Sequence, residues 1–252
     1  MHSVWPHPQE DARQRALSDS ELEQIYAYPE QLTRAWVQAN FVSSADGAVT
    51  VGGTSEGLSH PADKRVFALG RDLADVILVG AGTAMAERYR GVRPKELRTE
   101  RRRRLGLADL PPIAVVSGRC SIPADALLIT DTVVPPIVFT SEAAPIERKN
   151  ALIDAGADVV VAGNGHVHLP TALSELDSRG LRRVNCEGGP HLFASMIADD
   201  LVDELCLTIA PLLAGAGADR IVAGAVSEAP RRLTLASVLQ EDGFLMLRYT
   251  RR

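Results

Sequence analysis

Cysteine is scarce in this chain, with three residues in 252, Cys120, Cys186 and Cys206. They form no C-x-x-C pair and have no neighbouring ligand, which argues against a structural zinc or a disulfide framework and for a reducing compartment. Aromatic residues make up only 4% of the chain, and no apolar run approaches the ~18 residues that a membrane span requires. Positive charge is not in excess: 27 basic against 32 acidic residues leave a net charge of -5, so no global field favours nucleic acid or an anionic membrane. The first residues, Met1 to Pro8, form neither a basic n-region nor an apolar h-region, so no secretory signal is read and the expected location is the cytoplasm.

What is present is an ordinary globular composition, 46% hydrophobic and 23% charged, sufficient for one large core. Residues 1–33 read as a polar N-terminal extension with a short helix opened by the capping-box pattern Ser18-x-x-Glu21. From residue 34 to 252 a single domain is expected. Its apolar runs at 36–42, 76–79, 113–116, 137–140, 159–161 and 183–186 alternate with helical patterns at 61–71, 145–155, 171–179 and 191–198. That rhythm predicts an α/β fold with a mainly parallel sheet and helices on both faces. Residues 202–210, 233–238 and 244–250 break the rhythm and read as antiparallel C-terminal strands.

Two strand-to-helix junctions are rich in glycine. Val76 to Val79 runs into Gly80-Ala81-Gly82-Thr83, with Thr83 read as the N-cap of the next helix, and Arg183 to Cys186 runs into Glu187-Gly188-Gly189-Pro190. Each alone is an ordinary connector. Together they predict phosphate contacts to backbone N–H groups at helix starts. The strand beginning at Trp36 ends in Ser43-Ser44-Ala45-Asp46-Gly47, at the sheet edge where α/β folds bind ligands, and Asp63 lies in the first turn of the helix that Pro61 opens. Two other features are read as surface: the Arg101-Arg102-Arg103-Arg104 run as a solvated helix face, and His166 with His168 as a turn rather than a metal site. No metal is expected.

The series Ser43-Ser44-Ala45-Asp46-Gly47, Ser59 with Asp63, Ala74 to Thr83, Glu187-Gly188-Gly189-Pro190 and Leu201 to Gly215 resembles, in order and spacing, the C-terminal reductase domain of the bifunctional riboflavin biosynthesis protein, a relative of dihydrofolate reductase. The resemblance covers about residues 34 to 250. The H-x-E and P-C-x-x-C pattern of the companion deaminase is absent, which reads as a stand-alone reductase.

The resemblance implies a dihydrofolate reductase-like fold, a homodimer, and NADPH-dependent hydride transfer to a small heterocycle, a ribosylamino-uracil phosphate or a dihydrofolate-like pterin. It assigns Ser44, Asp46, Gly47, Gly80, Ala81, Gly82, Thr83, Ser117, Arg119, Gly188, Gly189 and Pro190 to the cofactor. Arg119 would favour a 2′-phosphate because its fork suits a phosphate dianion. Asn40, Ser44 and Asp46 fall to the substrate. Asp63, Glu187 and Glu87 are the candidate catalytic carboxylates, Asp63 first, since a partly buried acid there would meet an amidine-like N–C–N edge. Two positions depart from the family pattern: Asn40 stands where a lysine is usual and Glu87 where an aspartate is usual. These changes leave open a non-catalytic NADPH-binding module.

Overall fold

The alternating apolar runs become parallel strands because helices cover both of their faces. The computed structural model describes residues 1–6, 15–94, 96–224 and 230–252, leaving aside the side chains of 96–98. Its strands are β1 (His2–Trp5), β2 (Trp36–Ser44), β3 (Val76–Gly80), β4 (Ile113–Val116), β5 (Ile137–Thr140), β6 (Asp158–Val161), β7 (Arg183–Cys186), β8 (Glu204–Ala210), β9 (Leu233–Glu241) and β10 (Phe244–Arg251). The helices are α1 (Asp19–Tyr26), α2 (Pro61–Leu73), α3 (Ala81–Ala86), α4 (Glu96–Arg104), α5 (Leu127–Thr130), α6 (Ile146–Asp154), α7 (Leu169–Ser178) and α8 (Pro190–Ala198).

All ten strands share one sheet, ordered β1-β9-β10-β8-β2-β7-β3-β4-β5-β6. From β8 to β6 the neighbours run parallel, while β10 is antiparallel to β8 and β9, and β1 is antiparallel to β9. This is the expected α/β architecture. Period-two alternation divides each central strand between two cores. Val76 and Leu78 of β3 join Val37, Val184 and the apolar sides of α7 and α8. Ile77 and Val79 face the other way, toward α3, α5 and α6. Leu22 and Tyr26 of α1 pack on Val66 and Leu69 of α2 and on Cys206 and Met246 of the antiparallel strands.

Several expectations change. The N-terminal extension, polar in sequence, enters the sheet and the core: β1 supplies the edge strand beside β9, and Met1, Leu22 and Tyr26 are core residues. The capping box at Ser18 and Glu21 is present. Thr83 is not an N-cap. The helix begins at Ala81 with Gly80 in the N-cap position and no capping side chain. β3 ends at Gly80, whose N–H donates to the Gly188 carbonyl at 2.7 Å, so the strand gives way to the helix three residues before Thr83.

The arginine run is not a solvated face either. Arg102 is fully buried and donates to the carbonyls of Arg71, Asp72 and Ala74 at 3.2, 3.2 and 2.6 Å, and to that of Ala108 at 2.5 Å. The first three close the C-terminus of α2, whose last carbonyls have no partner within the helix. Arg101 joins Asp72 at 2.7 Å to Glu23 of α1 at 3.1 Å. Only Arg103 and Arg104 of the run are exposed.

Candidate active site

The carboxyl ends of β2, β7, β3 and β4 lie side by side, and the two glycine-rich turns meet there. A Cβ on Gly189 would stand 2.0 Å from Thr83 Oγ1, and one on Gly188, at φ +76°, would stand 2.8 Å from the Phe41 ring. Neither space admits a side chain. Two clefts open on either side of this junction and share Thr83, Gly189 and Pro190.

The first cleft, of about 630 Å³, takes in Asn40, Asp63, Phe67, Arg71, Glu87, Tyr89 and Glu187. Asp63, Phe67 and Arg71 recur every four residues on α2 and therefore project from one face of it. Asp63 is buried, and burial raises its pKa above the usual 3.8 although the hydroxyls of Thr208 and Ser59 donate to it. Glu187 is almost sealed, with 1% of its side chain exposed. Its Oε1 accepts from Arg71 Nε at 2.7 Å and Asn185 Nδ2 at 2.9 Å; its Oε2 accepts from Arg71 Nη2 and the Tyr89 hydroxyl, both at 2.6 Å. Burial opposes the Arg71 charge, but Glu187 and Tyr89 outweigh it and hold the guanidinium firmly protonated. Burial and then the Glu187 carboxylate push the Tyr89 phenol well above 10.0. The Arg71 guanidinium also lies over the rings of Phe67 and Tyr89, 4.6 and 5.3 Å from their centroids. Glu87 accepts the Ser55 N–H at 2.9 Å and so ties the 52–58 segment to α3.

The second cleft, of about 720 Å³, is lined by Gly80, Ala81, Gly82, Thr83, Ser117, Arg119, Gly189 and Pro190, and also by Arg148 and His166. The starts of α3 and α8 both open into it, and neither helix has a capping side chain. Backbone donors left in this way, at the positive ends of helix dipoles, fit the diphosphate of a dinucleotide. Gly82 and Gly118 would admit a Cβ without meeting any atom, so the cleft is open to a ligand at both. Ser117 Oγ is engaged by the Ser121 N–H at 3.0 Å.

Ser44, Asp46 and Gly47 lie in the turn between Val42 and Val49, two residues that line the first cleft. None of the three lines either cleft. The Ser44 hydroxyl bonds Asp46 and accepts the Ala48 N–H, and Asp46 accepts the N–H groups of Ala214 and Gly215 at 3.1 and 2.9 Å. Ser44 and those two N–H groups hold the Asp46 carboxyl down at about 2. Asp46 thus clasps the segment after β8 onto the end of β2. Sequence reasoning missed Arg71, Tyr89 and Asn185, although the four-residue spacing from Asp63 was a signal for Arg71. Among the described residues no cluster of three or more metal-ligating side chains occurs, and no helix is long and apolar enough to cross a membrane.

The chain is similar to known proteins in sequence and in fold. Residues 35–244 match the model of the RibD C-terminal domain. A 2,5-diamino-6-ribosylamino-4(3H)-pyrimidinone 5′-phosphate reductase of Archaeoglobus fulgidus is 34% identical over 184 residues, 72% of this chain and 83% of that protein. The protein of the same name from Methanothermobacter thermautotrophicus is 33% identical over 183 residues, 72% of this chain and 80% of its own. A solved pyrimidine reductase-like protein of Corynebacterium diphtheriae has a TM-score of 0.79 at 27% identity, covering 92% of this chain and 98% of that one. The chain therefore belongs to the RibD C-terminal domain family of pyrimidine reductases.

Proposed function

We propose that this protein is an NADPH-dependent reductase of a phosphorylated ribosylamino-pyrimidine whose ring carries a 2-amino-4-oxo edge. The observation that supports this most is the pairing of the two clefts across Thr83, Gly189 and Pro190: uncapped helix starts on one side, a buried acid on the other. Bound NADPH supplies the hydride. Gly82, Thr83 and the start of α8 hold its diphosphate, with Ser117 and Arg119 toward the adenosine end.

In the first cleft Asp63 acts on the ring. An ionised carboxylate accepts two N–H bonds from a 2-amino-pyrimidinone edge, whereas a uracil turns a carbonyl oxygen toward it and repels it. Glu187 has its four acceptor positions filled by Arg71, Asn185 and Tyr89, so it orients Arg71 and Tyr89 rather than exchanging a proton. Lys64 and Arg88 line the same cleft and supply the cationic charge that Asn40 lacks for a sugar phosphate. The second reading, reduction of a dihydrofolate-like pterin, is favoured by the same Asp63, because pterins share the 2-amino-4-oxo edge. Assembly as a homodimer and a cytoplasmic location belong to this proposal through the family.

The test is NADPH oxidation with three substrates: the 2-amino ribosylamino-pyrimidine phosphate, its 2-oxo uracil counterpart and dihydrofolate. The 2-amino compound is expected to exceed the uracil in kcat/KM by about 10- to 100-fold, as for loss of a hydrogen bond to a charged group. Asp63→Asn reverses that preference, since an amide can donate to the 2-oxo group. In the wild type, binding of the 2-amino ring weakens on acidification through the raised Asp63 pKa, because the protonated acid loses an acceptor. Preference for the uracil by the wild type refutes the role of Asp63. NADPH binding with no turnover of any of the three refutes the reductase and leaves a binding module.

A further inference from the structure

His60 stands in the N-cap position of α2, directly before Pro61, and histidine is not among the residues that ordinarily fill it. Its ring acts as the cap: Nδ1 accepts the Ala62 N–H at 3.2 Å, while the His60 carbonyl accepts the Lys64 N–H at 2.9 Å. Pro61 brings no N–H, so Ala62 carries the first backbone donor of the helix that needs a partner. A ring nitrogen that accepts is unprotonated, so the proton of the neutral imidazole is on Nε2. The Asp242 carboxylate lies 3.5 Å from that nitrogen, on the turn between β9 and β10. Phe244, two residues on, stacks on the ring with centroids 4.4 Å apart and planes inclined by 20°. The β9–β10 hairpin therefore fixes both the tautomer and the plane of the imidazole. Asp63 is the third residue of α2, in the turn that His60 caps, and it accepts the hydroxyl of Ser59, the residue before His60. In a capping box an acid at this position reaches back to the N-cap N–H. Here the imidazole supplies the cap, and Asp63 lines the first cleft.

We propose that His60 is a positioning residue: held in one tautomer by Asp242 and in one plane by Phe244, it fixes the first turn of α2 so that the Asp63 carboxylate meets the 2-amino edge of the substrate. This rests on the role given to Asp63 above. Without its cap the turn frays, and the substrate must re-order it on binding, so affinity falls by at most what the cap contributed. A uracil, which gains no bond from the carboxylate, loses less. The discrimination between the two rings thus depends on the β9–β10 hairpin, an element remote in sequence from α2.

The test measures kcat/KM with NADPH for the 2-amino ribosylamino-pyrimidine phosphate and its 2-oxo uracil counterpart in wild type, His60→Ala and His60→Asn, and with Asp242→Ala added to wild type and to His60→Asn. His60→Ala is expected to lower the 2-amino to 2-oxo ratio by about fivefold, the equivalent of one helix cap, mainly through KM of the 2-amino compound. Its NADP⁺ affinity is retained, because no residue of α2 lines the second cleft. His60→Asn restores the ratio, since the amide oxygen is placed to accept the same N–H. Asp242→Ala lowers the ratio in the wild-type background, where the ring proton is released to either nitrogen, and leaves it unchanged in His60→Asn, which has no tautomer to fix. An unchanged ratio in His60→Ala, or equal losses for both substrates, overturns the role of His60 while Asp63→Asn still reverses the preference. Failure of Asp63→Asn to alter the preference overturns the Asp63 reading itself. A ratio that stays low in His60→Asn, or an Asp242→Ala loss of the same size in both backgrounds, overturns the cap with its fixed tautomer. Should His60→Ala not fold, the two Asp242→Ala measurements carry the test, since Asp242 is exposed at the hairpin turn.

Discussion

Replacing Glu187 with glutamine removes one charge from the most densely bonded group in the cleft. The wild-type carboxylate takes two bonds from Arg71, at 2.7 and 2.6 Å, one from Tyr89 at 2.6 Å and one from Asn185 at 2.9 Å. Glutamine keeps the shape, but its amide nitrogen faces donors where an acceptor is required, so at least one bond becomes a clash of N–H groups. Arg71, four-fifths buried, is then left without its counter-charge. Breaking a buried ion pair from one side costs about 3–5 kcal/mol. At ~2–4 °C per kcal/mol for a domain of this size, the melting temperature should fall by about 6–20 °C in differential scanning calorimetry. Removing both partners with apolar residues, as in Arg71→Leu with Glu187→Leu, abolishes the unpaired charge and should recover much of that loss. The double variant should nonetheless show a raised KM for the heterocycle. If Glu187→Gln melts within 2 °C of the wild type by the same measure, the pair is not the internal support that its geometry describes. If the double variant is less stable than Glu187→Gln, the loss comes from packing and not from the stranded charge.

Two further outcomes follow from the same chemistry. Arg102→Met should lower unfolding free energy by more than about 3 kcal/mol in urea titration, because four carbonyls lose their donor at once, and Arg102→Lys should not restore it, since one ammonium cannot span the end of α2. Gly189→Ala places a methyl 2.0 Å from Thr83 Oγ1 and should raise the Kd for NADP⁺ by about tenfold or more in calorimetric titration, through overpacking.

Most of the architecture is legible in the chain itself. The runs at 113–116, 137–140 and 183–186 became strands with those same bounds, because β-branched and apolar residues between turn residues leave little choice of local structure. The capping box at Ser18 and the N1 proline at Pro61 acted locally and were readable for the same reason. His2–Trp5 was not readable as a strand, since its partner β9 lies more than two hundred residues away and supplies the hydrogen bonds that define it.

The site divides in the same way. The glycine-rich turns, the residues before the helix starts and the acid on the first turn of α2 are local motifs, and the sequence alone determined where a dinucleotide and a heterocycle would be sought. Only tertiary structure decided what each charged group faces. Asp46, assigned from the sequence to cofactor and substrate, accepts the backbone N–H groups of residues 214 and 215. Glu187 is sealed by an arginine 116 positions away. Arg102 turns inward to close a helix, while Arg148 turns outward beside Arg119. Charge is a property of the residue, but whether it is neutralised, buried or left for a ligand depends on neighbours brought together by the sheet, and those neighbours are set by long-range packing.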